Sequence, residues 1–371
     1  MQITLSAMRA DVGSIGGHLL PSAEVVSAVS AAIEPHRSDD GVVDHAVTFT
    51  GDDITLLCTH RKGLNHSGLH QWMFDAFTRA AEVAVKQGLY GAGQDIYKEG
   101  VSGVSKGLGP SLAEIGFEER SNEAFLVFSI DKSNPGAFNL PFYLAFADPM
   151  HCPGLILSHR LRKGFRFEIM DVVYKDCDRV ITLEAPEDLY NIAALLRDDQ
   201  RFAIRAVYSR TTGEPAAVVS TTRLHHIAGI LLGKDDPVAI VRVQDAFPAT
   251  GEILSPFQMG ACVGGSLRGS HYAPLMPVCQ NSKVAHFDGP PSVSCTAYCL
   301  REGRLTASTD PFDHPVWDHV RDRLAGRVLE MRRQGFFGNA MEPFESLAYS
   351  GIMRILQELD ERFEIERPRD L

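Results

Sequence analysis

Val42-Val-Asp-His-Ala-Val-Thr-Phe-Thr50, Gly51-Asp52-Asp53 and Ile54-Thr-Leu-Leu-Cys-Thr59 read, in succession, as a strand, a turn and a second strand. Both arms are rich in β-branched and apolar residues, and glycine beside aspartate supplies the turn. This hairpin points to antiparallel sheet, and its turn holds two adjacent carboxylates at a strand end, where sites are commonly built. Four further islands stand beside glycine or at the end of an apolar run: Asp11 with His18, Gln94-Asp95, Asp131-Lys132 and Lys234-Asp235-Asp236. A single Asp-Gly or Asp-Asp pair is a turn former and no more. Repetition at strand ends and breaks predicts one shared site. Carboxylates brought together without cations repel and take up protons, so a converged set calls for a hard, oxygen-seeking metal, with magnesium the natural candidate.

Outward from the hairpin, residues 2–9 alternate as a strand that breaks at Asp11, and 21–34, opened by Pro21, read as a helix. Between His66 and Gln87, the apolar residues Met73, Phe77, Ala80, Ala81 and Ala84 fall on one helical face, and Gly88 supplies the stop. A Gly-rich loop, 88–110, follows. Strands are expected at 123–130, 164–174, 179–185, 202–209, 215–222 and 238–244, with helices at 187–197, 314–334 and 350–363. Helix and strand mix without a strict βαβ rhythm, so antiparallel sheets covered by helices are expected, an α+β fold. No Pro/Ser linker, repeat or low-complexity tract interrupts residues 1–371, which predicts a single domain.

A chain of 371 residues with 44% hydrophobic content can bury a substantial core. Its formal charge is -11, from 47 acidic and 36 basic residues, with no Lys/Arg block, which argues against a nucleic-acid partner. The start lacks the charged and apolar segments of a secretory signal, and no run approaches the roughly 20 apolar residues that cross a bilayer. A cytoplasmic protein without a membrane partner is expected. Seven cysteines, at 58, 152, 177, 262, 279, 295 and 299, form no Cys-x-x-Cys pair and read as core thiols rather than a zinc site, a disulfide framework or a nucleophile.

Residues 88–95 and 100–109 are rich in glycine and could cradle a phosphate through backbone N–H groups, though neither fits a P-loop or Rossmann fingerprint. Lys132 and Arg268 are cations suited to a phosphorylated ligand. Lys234 beside Asp235 and Asp236 is an ordinary ion pair if those carboxylates stand alone. If they hold divalent ions, the ammonium is disfavoured and an amine able to attack a carbonyl becomes accessible. His18 could ligate a metal or touch phosphate, whereas His70 and His225-His226 sit where local hydrogen bonds are the expected role. No elbow motif supports a Ser/His/Asp triad.

Taken in order, Ala10-Asp11-Val-Gly-Ser-Ile-Gly-Gly-His18, Gly51-Asp-Asp53, Gly88-Leu-Tyr-Gly-Ala-Gly-Gln-Asp95, Gly107-Leu-Gly-Pro110, Asp131-Lys132, Asn139-Leu-Pro141, Phe146-Ala-Asp-Pro149, Gly233-Lys-Asp-Asp-Pro237, Arg268-Gly-Ser-His-Tyr272 and Phe287-Asp-Gly-Pro-Pro291 span nearly the whole chain. Together they resemble the bifunctional fructose-1,6-bisphosphate aldolase/phosphatases of archaea and deeply branching bacteria. The resemblance implies a four-layer α-β-β-α sandwich, a homo-octamer and several Mg²⁺ ions. It also implies hydrolysis of the 1-phosphate of fructose bisphosphate, and aldol condensation of triose phosphates through a lysine Schiff base in the same pocket. By the same resemblance Asp11, His18, Asp52, Asp53, Gln94, Asp131, Asp235 and Asp236 are metal ligands, Lys234 is the Schiff-base lysine, and Asp11 and Asp53 serve catalysis. His18, Tyr90, Ser102, Gly103, Lys132, Gln244, Arg268, Asp288 and, after a one-residue shift, Tyr349 contact sugar or phosphate.

The chain departs from the family pattern at informative places. Where the family has Gly-Lys-Tyr-Val-Gly-Lys-Asp-Asp-Pro, with a tyrosine that moves protons in the aldol step, this sequence has Gly229-Ile-Leu-Leu-Gly-Lys234 and so Leu231. Leucine cannot transfer a proton. The family's Ser-Gly-Asn is Ser102-Gly103-Val104. A Mg²⁺-dependent sugar-bisphosphate phosphatase with weakened aldolase activity is therefore expected. The alternatives are a Schiff-base carbon-carbon bond enzyme on another sugar phosphate, with His225, His226, Tyr349 or metal-bound water moving the proton, and an inactive oligomeric sugar-phosphate sensor. Packed acidic islands argue against the last.

Overall fold

The computed structural model describes residues 1–97, 109–174, 177–220, 235–265, 271–283, 290–333 and 351–368. Its first half runs β1 (Gln2–Asp11), α1 (Ala23–Ile33), β2 (Val42–Thr50), β3 (Asp53–His60), α2 (Ser67–Gln87), β4 (Ser111–Glu118), β5 (Glu123–Asp131), α3 (Asn139–Phe146) and α4 (Gly154–Leu157). Then come β6 (Phe165–Asp171), β7 (Cys177–Glu184), α5 (Leu189–Leu196), β8 (Phe202–Ser209), β9 (Pro215–Val219), β10 (Val238–Arg242), α6 (Thr250–Leu254), β11 (Cys262–Gly265) and β12 (His271–Pro274). The chain continues through β13 (Met276–Pro277), β14 (Ser292–Arg301), β15 (Arg304–Thr309), α7 (Pro315–Arg333), α8 (Gly351–Asp360) and β16 (Glu364–Pro368).

The predicted hairpin is β2–β3, and it forms one side of a four-stranded sheet in the order β2-β3-β1-β4. A larger, ten-stranded sheet runs β13-β14-β5-β10-β9-β8-β6-β7-β16, with β15 on β14. Among the described residues, β13–β14 is parallel and the other named strand pairs are antiparallel. That agrees with the mixed α+β expectation. Strands β4 and β14 and helix α3 are additions to the sequence reading. The residues of β14, Ser-Val-Ser-Cys-Thr-Ala-Tyr-Cys-Leu-Arg, are small and partly polar, with few of the β-branched and large apolar side chains that mark a strand in sequence.

Strand periodicity divides the core. Met8 and Ala10 of β1 and Ile54 and Leu56 of β3 face Val25, Val29 and Ile33 of α1 and Leu69, Met73, Phe77 and Ala80 of α2. The alternate residues Ile3, Leu5, Ala7 and Leu57 turn the other way and pack on Phe125, Val127, Val238 and Ile240 of the large sheet. Beyond that sheet, Phe128, Phe138, Phe142 and Phe146 anchor an aromatic cluster with Phe257, Phe312 and Trp317. Each such side chain contributes about 1.5–3 kcal/mol on burial, before the entropy of ordering the chain is subtracted. α2 ends as its sequence predicts, at Gly88 in the left-handed region at φ 66°, and its start is capped by His66, which accepts from Leu69 N–H.

Cys58, Cys152, Cys177 and Cys295 are core thiols, but Cys262 and Cys299 are exposed, which corrects the expectation for those two. Cys262 and Cys299 sit on strands whose outward positions alternation sends to solvent. No helix among the described residues is long and apolar enough to cross a membrane.

Candidate active site

Register brings the acidic islands to one edge. Antiparallel pairing of β1 with β3 sets Asp11, the last residue of one, opposite Asp53, the first of the other. In the second sheet β5 ends at Asp131, and β10 runs back from Asp235-Asp236 with Val238 opposite Ser129. The sheets are joined near this edge by Thr55 Oγ1 and Ser129 Oγ, 2.9 Å apart. Residues distant in sequence therefore meet because both sheets place strand ends at the same place.

Two groups of potential ligands overlap at Asp52. Asp11, His18 and Asp52 present ligand atoms within 4.8 Å of one another, and so do Asp52, Asp53 and Asp131. His18 has a left-handed backbone, φ 61°, after Gly16 and Gly17, and its Nδ1 lies 2.7 Å from Asp52 Oδ2 and 3.9 Å from Asp11 Oδ2. The loop beyond Asp11 is held close to the 90–96 turn. Gly13, at φ 121°, has no room for a side chain, since a Cβ there would stand 2.9 Å from Ala92 Cα. Asp95 Oδ2 accepts from Asp11 N–H at 2.8 Å, and Asp11 Oδ1 accepts from Gly13 N–H at 2.9 Å. The Tyr90 ring meets His18 edge-on at 4.9 Å and is half-exposed.

Lys132 is buried within this group. Its ammonium donates to Asp131 Oδ1 at 3.0 Å and to Asp52 Oδ1. Asp236 Oδ1 accepts from Ser133 N–H at 2.8 Å, which pins the start of β10 to the end of β5. Burial pushes the Asp11 carboxyl well above its usual range, and the charges of Asp52, Asp53 and Asp95 add to this. Burial also pushes Asp131 up, Lys132 opposes the shift, and Asp52, Asp236 and Asp53 reinforce it. For Asp52, burial acts upward but is outweighed by Lys132 and His18, which hold the carboxyl below its usual range. The Lys132 ammonium is strengthened: burial lowers it, but Asp131, Asp52, Asp236 and Asp53 prevail. The Lys132 ammonium is thus shared by Asp52 and Asp131, whose two charges exceed its one, and Asp131 Oδ2 is buried with no hydrogen-bond partner among the described residues. A divalent ion would relieve both conditions, so these residues fit a metal.

Of the residues expected in the site, Asp11, His18, Asp52, Asp53, Asp131 and Lys132 converge. Asp236 joins them through Ser133, Asp235 precedes it, and Gln94 and Tyr90 lie in the turn beside Asp11. Gln244 lies elsewhere: it follows β10 at the opposite end from Asp236, with its side chain on Thr250. The five residues of β10 alone separate them by about 16 Å. Ser102, Gly103, Val104, His225, His226, Leu231, Lys234, Arg268, Asp288 and Tyr349 lie outside the described residues. His70 is bound not locally but across to Glu114, at 3.0 Å. Sequence reading passed over Arg9, which is fully buried with Nη2 3.1 Å from Asp53 Oδ2. A basic residue inside the strand run 2–9, on the side of the apolar Ala7 and Leu5, was the available signal.

A family model described as fructose-1,6-bisphosphatase matches residues 2–364. A fructose-1,6-bisphosphate aldolase/phosphatase of Thermus thermophilus is 51% identical over 365 residues, covering 98% of this chain and 100% of the relative. Proteins of the same description from Ignicoccus hospitalis and Methanothermobacter marburgensis are each 42% identical, covering 97% and 98% of this chain and 92% and 99% of their own lengths. With matches that run essentially end to end, this chain belongs to the fructose-1,6-bisphosphate aldolase/phosphatase family of enzymes.

Proposed function

We propose that this protein is a Mg²⁺-dependent phosphatase acting on fructose 1,6-bisphosphate or a closely similar sugar bisphosphate. The observation that carries the reading is the pair of overlapping ligand groups, Asp11/His18/Asp52 and Asp52/Asp53/Asp131, on the shared edge of two sheets. Bound Mg²⁺ ions would polarise the phosphate and offset the charge that develops on the leaving oxygen. The residues of the chain do the holding. Asp52 orients His18 through Nδ1, the Gly13 amide fixes Asp11 Oδ1, and Ser133 fixes Asp236. Gln94 and Asp235 would complete the ligand set. Tyr90, half-exposed beside His18, would meet the sugar, and Lys132 supplies an ammonium between the acidic side chains. Ser102, Gly103, Arg268, Asp288 and Tyr349 complete the expected substrate contacts.

In this reading the chain is one α-β-β-α sandwich domain, supported by the three successive hydrophobic clusters, and a cytoplasmic homo-octamer like that implied by the family resemblance. Lys234 retains the capacity to form a Schiff base, but Leu231 stands where the family's proton-transferring tyrosine is expected. Positioned acid-base groups accelerate such steps by about 10²–10⁴-fold, so aldol turnover should lie at least about two decades below phosphate release. The test is phosphate release from fructose 1,6-bisphosphate with Mg²⁺ and after chelation, beside aldol turnover and borohydride trapping of Lys234. Phosphate release unaffected by EDTA refutes the metal-dependent phosphatase. Robust aldol turnover in the unaltered chain refutes its subordinate place, whereas a rise in Leu231→Tyr supports it.

A further inference from the structure

Arg9 lies on β1 two residues before Asp11, on the face that carries Ile3, Leu5 and Ala7 into the layer between the sheets, and it is 0% exposed. A guanidinium keeps its charge there, and burying it without a partner would be costly. Nη2 donates to Asp53 Oδ2 at 3.1 Å and to Thr50 O at 3.1 Å, and Nη1 donates to Thr55 Oγ1 at 3.2 Å. Thr55 Oγ1 in turn lies 2.9 Å from Ser129 Oγ, two residues before Asp131. One buried cation thus grips the carboxylate of Asp53 and the main chain of its turn, and reaches the second sheet through Thr55.

We propose that Arg9 is a positioning residue for the divalent-metal cluster: by holding Asp53 Oδ2 and the Thr50–Asp53 turn from within the sheet layer, it sets the plane in which Asp53 faces ions shared with Asp52 and Asp131. This rests on the metal-dependent reading above and extends it to a residue outside the ligand set. Two effects oppose each other. A positive charge beside the cluster repels an incoming cation, whereas a fixed carboxylate plane favours Mg²⁺, which demands near-octahedral geometry. Alignment prevails because the guanidinium is already ion-paired to Asp53, so an incoming ion meets a neutral pair, while loss of alignment acts on a ligand directly.

The test is calorimetric titration of Mg²⁺ into metal-stripped wild type, Arg9→Met, Arg9→Lys and Thr55→Val, with melting curves of each. Arg9→Met should weaken Mg²⁺ binding about 10–100-fold, as loss of a ligand-orienting partner does. Arg9→Lys should recover only part, because an ammonium lacks the planar fork. Thr55→Val, nearly isosteric, should shift affinity in the same direction by less. At saturating Mg²⁺ the KM for sugar bisphosphate should stay within about twofold of wild type. Unchanged or tighter Mg²⁺ binding in Arg9→Met, or a lowered melting temperature with wild-type affinity, overturns the proposal. If Arg9→Met does not fold, Arg9→Lys and Thr55→Val decide by the same criterion. A wild type that takes up Mg²⁺ without releasing phosphate refutes the phosphatase reading and leaves the Arg9 result standing; one that takes up no Mg²⁺ refutes both.

Discussion

Lys132 and Asp131 are neighbours in the chain whose side chains meet, Nζ to Oδ1 at 3.0 Å. Continuing the strand would have sent them to opposite faces. Instead Lys132 adopts φ 65°, in the left-handed region, and its ammonium turns in among carboxylates from both sheets. A cation supplied by the chain thus stands where the carboxylates converge.

That placement makes Lys132→Met a sharp test. Without the ammonium, Asp52 and Asp131 are buried carboxylates lacking their cation, and breaking a buried pair costs about 3–5 kcal/mol. The metal-free variant should melt well below wild type, and saturating Mg²⁺ should raise its melting temperature by more than it raises that of wild type. Equal Mg²⁺-induced shifts in the two proteins would show that Lys132 and the metal do not act on the same charges.

Asp131→Asn should separate stability from metal binding. Burial and the surrounding carboxylates push the Asp131 carboxyl upward, so removing its charge relieves repulsion in the metal-free protein. The variant should melt at or above the wild-type temperature without metal, yet lose most of the Mg²⁺-induced gain. For wild type that gain is about 2.7 kcal/mol at a free metal concentration 100 times its Kd. A full Mg²⁺ shift in Asp131→Asn would remove this residue from the ligand set.

Acid sensitivity should arise far from the site as well. His60 is buried, with Nε2 2.8 Å from Ser6 Oγ, Nδ1 accepting from Lys62 N–H at 3.2 Å, and Ser6 Oγ donating to Glu114 Oε1 at 2.6 Å. This chain of bonds suits a neutral imidazole protonated on Nε2. Burial lowers the His60 pKa from the ordinary 6.5 to about 4. Between those values the unfolded chain binds a proton that the native state refuses, so stability is highest above pH 6.5 and falls toward pH 4, by up to about 1.4 kcal/mol per pH unit. Glu114 acts in the same direction at lower pH: burial raises its carboxyl, but His70, Ser6 and the Asn65 amide together outweigh this and hold it below its usual range. Urea midpoints should therefore drop between pH 6.5 and 4.5, with a shallower slope in His60→Asn. Identical slopes would exclude His60 as the source.

Local pattern alone determined a good deal of this protein. The hairpin around Gly51-Asp52-Asp53, the amphipathic helix ending at Gly88, the antiparallel character and the placing of acidic islands at strand ends all follow from alternation, helical spacing and turn chemistry, which are properties of a few consecutive residues. Tertiary structure decided the rest, because it depends on which segments come together. Strand register, not local sequence, places Asp11 opposite Asp53. The stacking of the two sheets brings Asp131 and Asp236 to the same edge, turns Lys132 inward, and leaves Gln244 at the far end of β10. Arg9 shows the difference most plainly. In sequence it is one basic residue in an apolar strand, and only burial between two sheets, where its charge must find a counter-ion, ties it to Asp53.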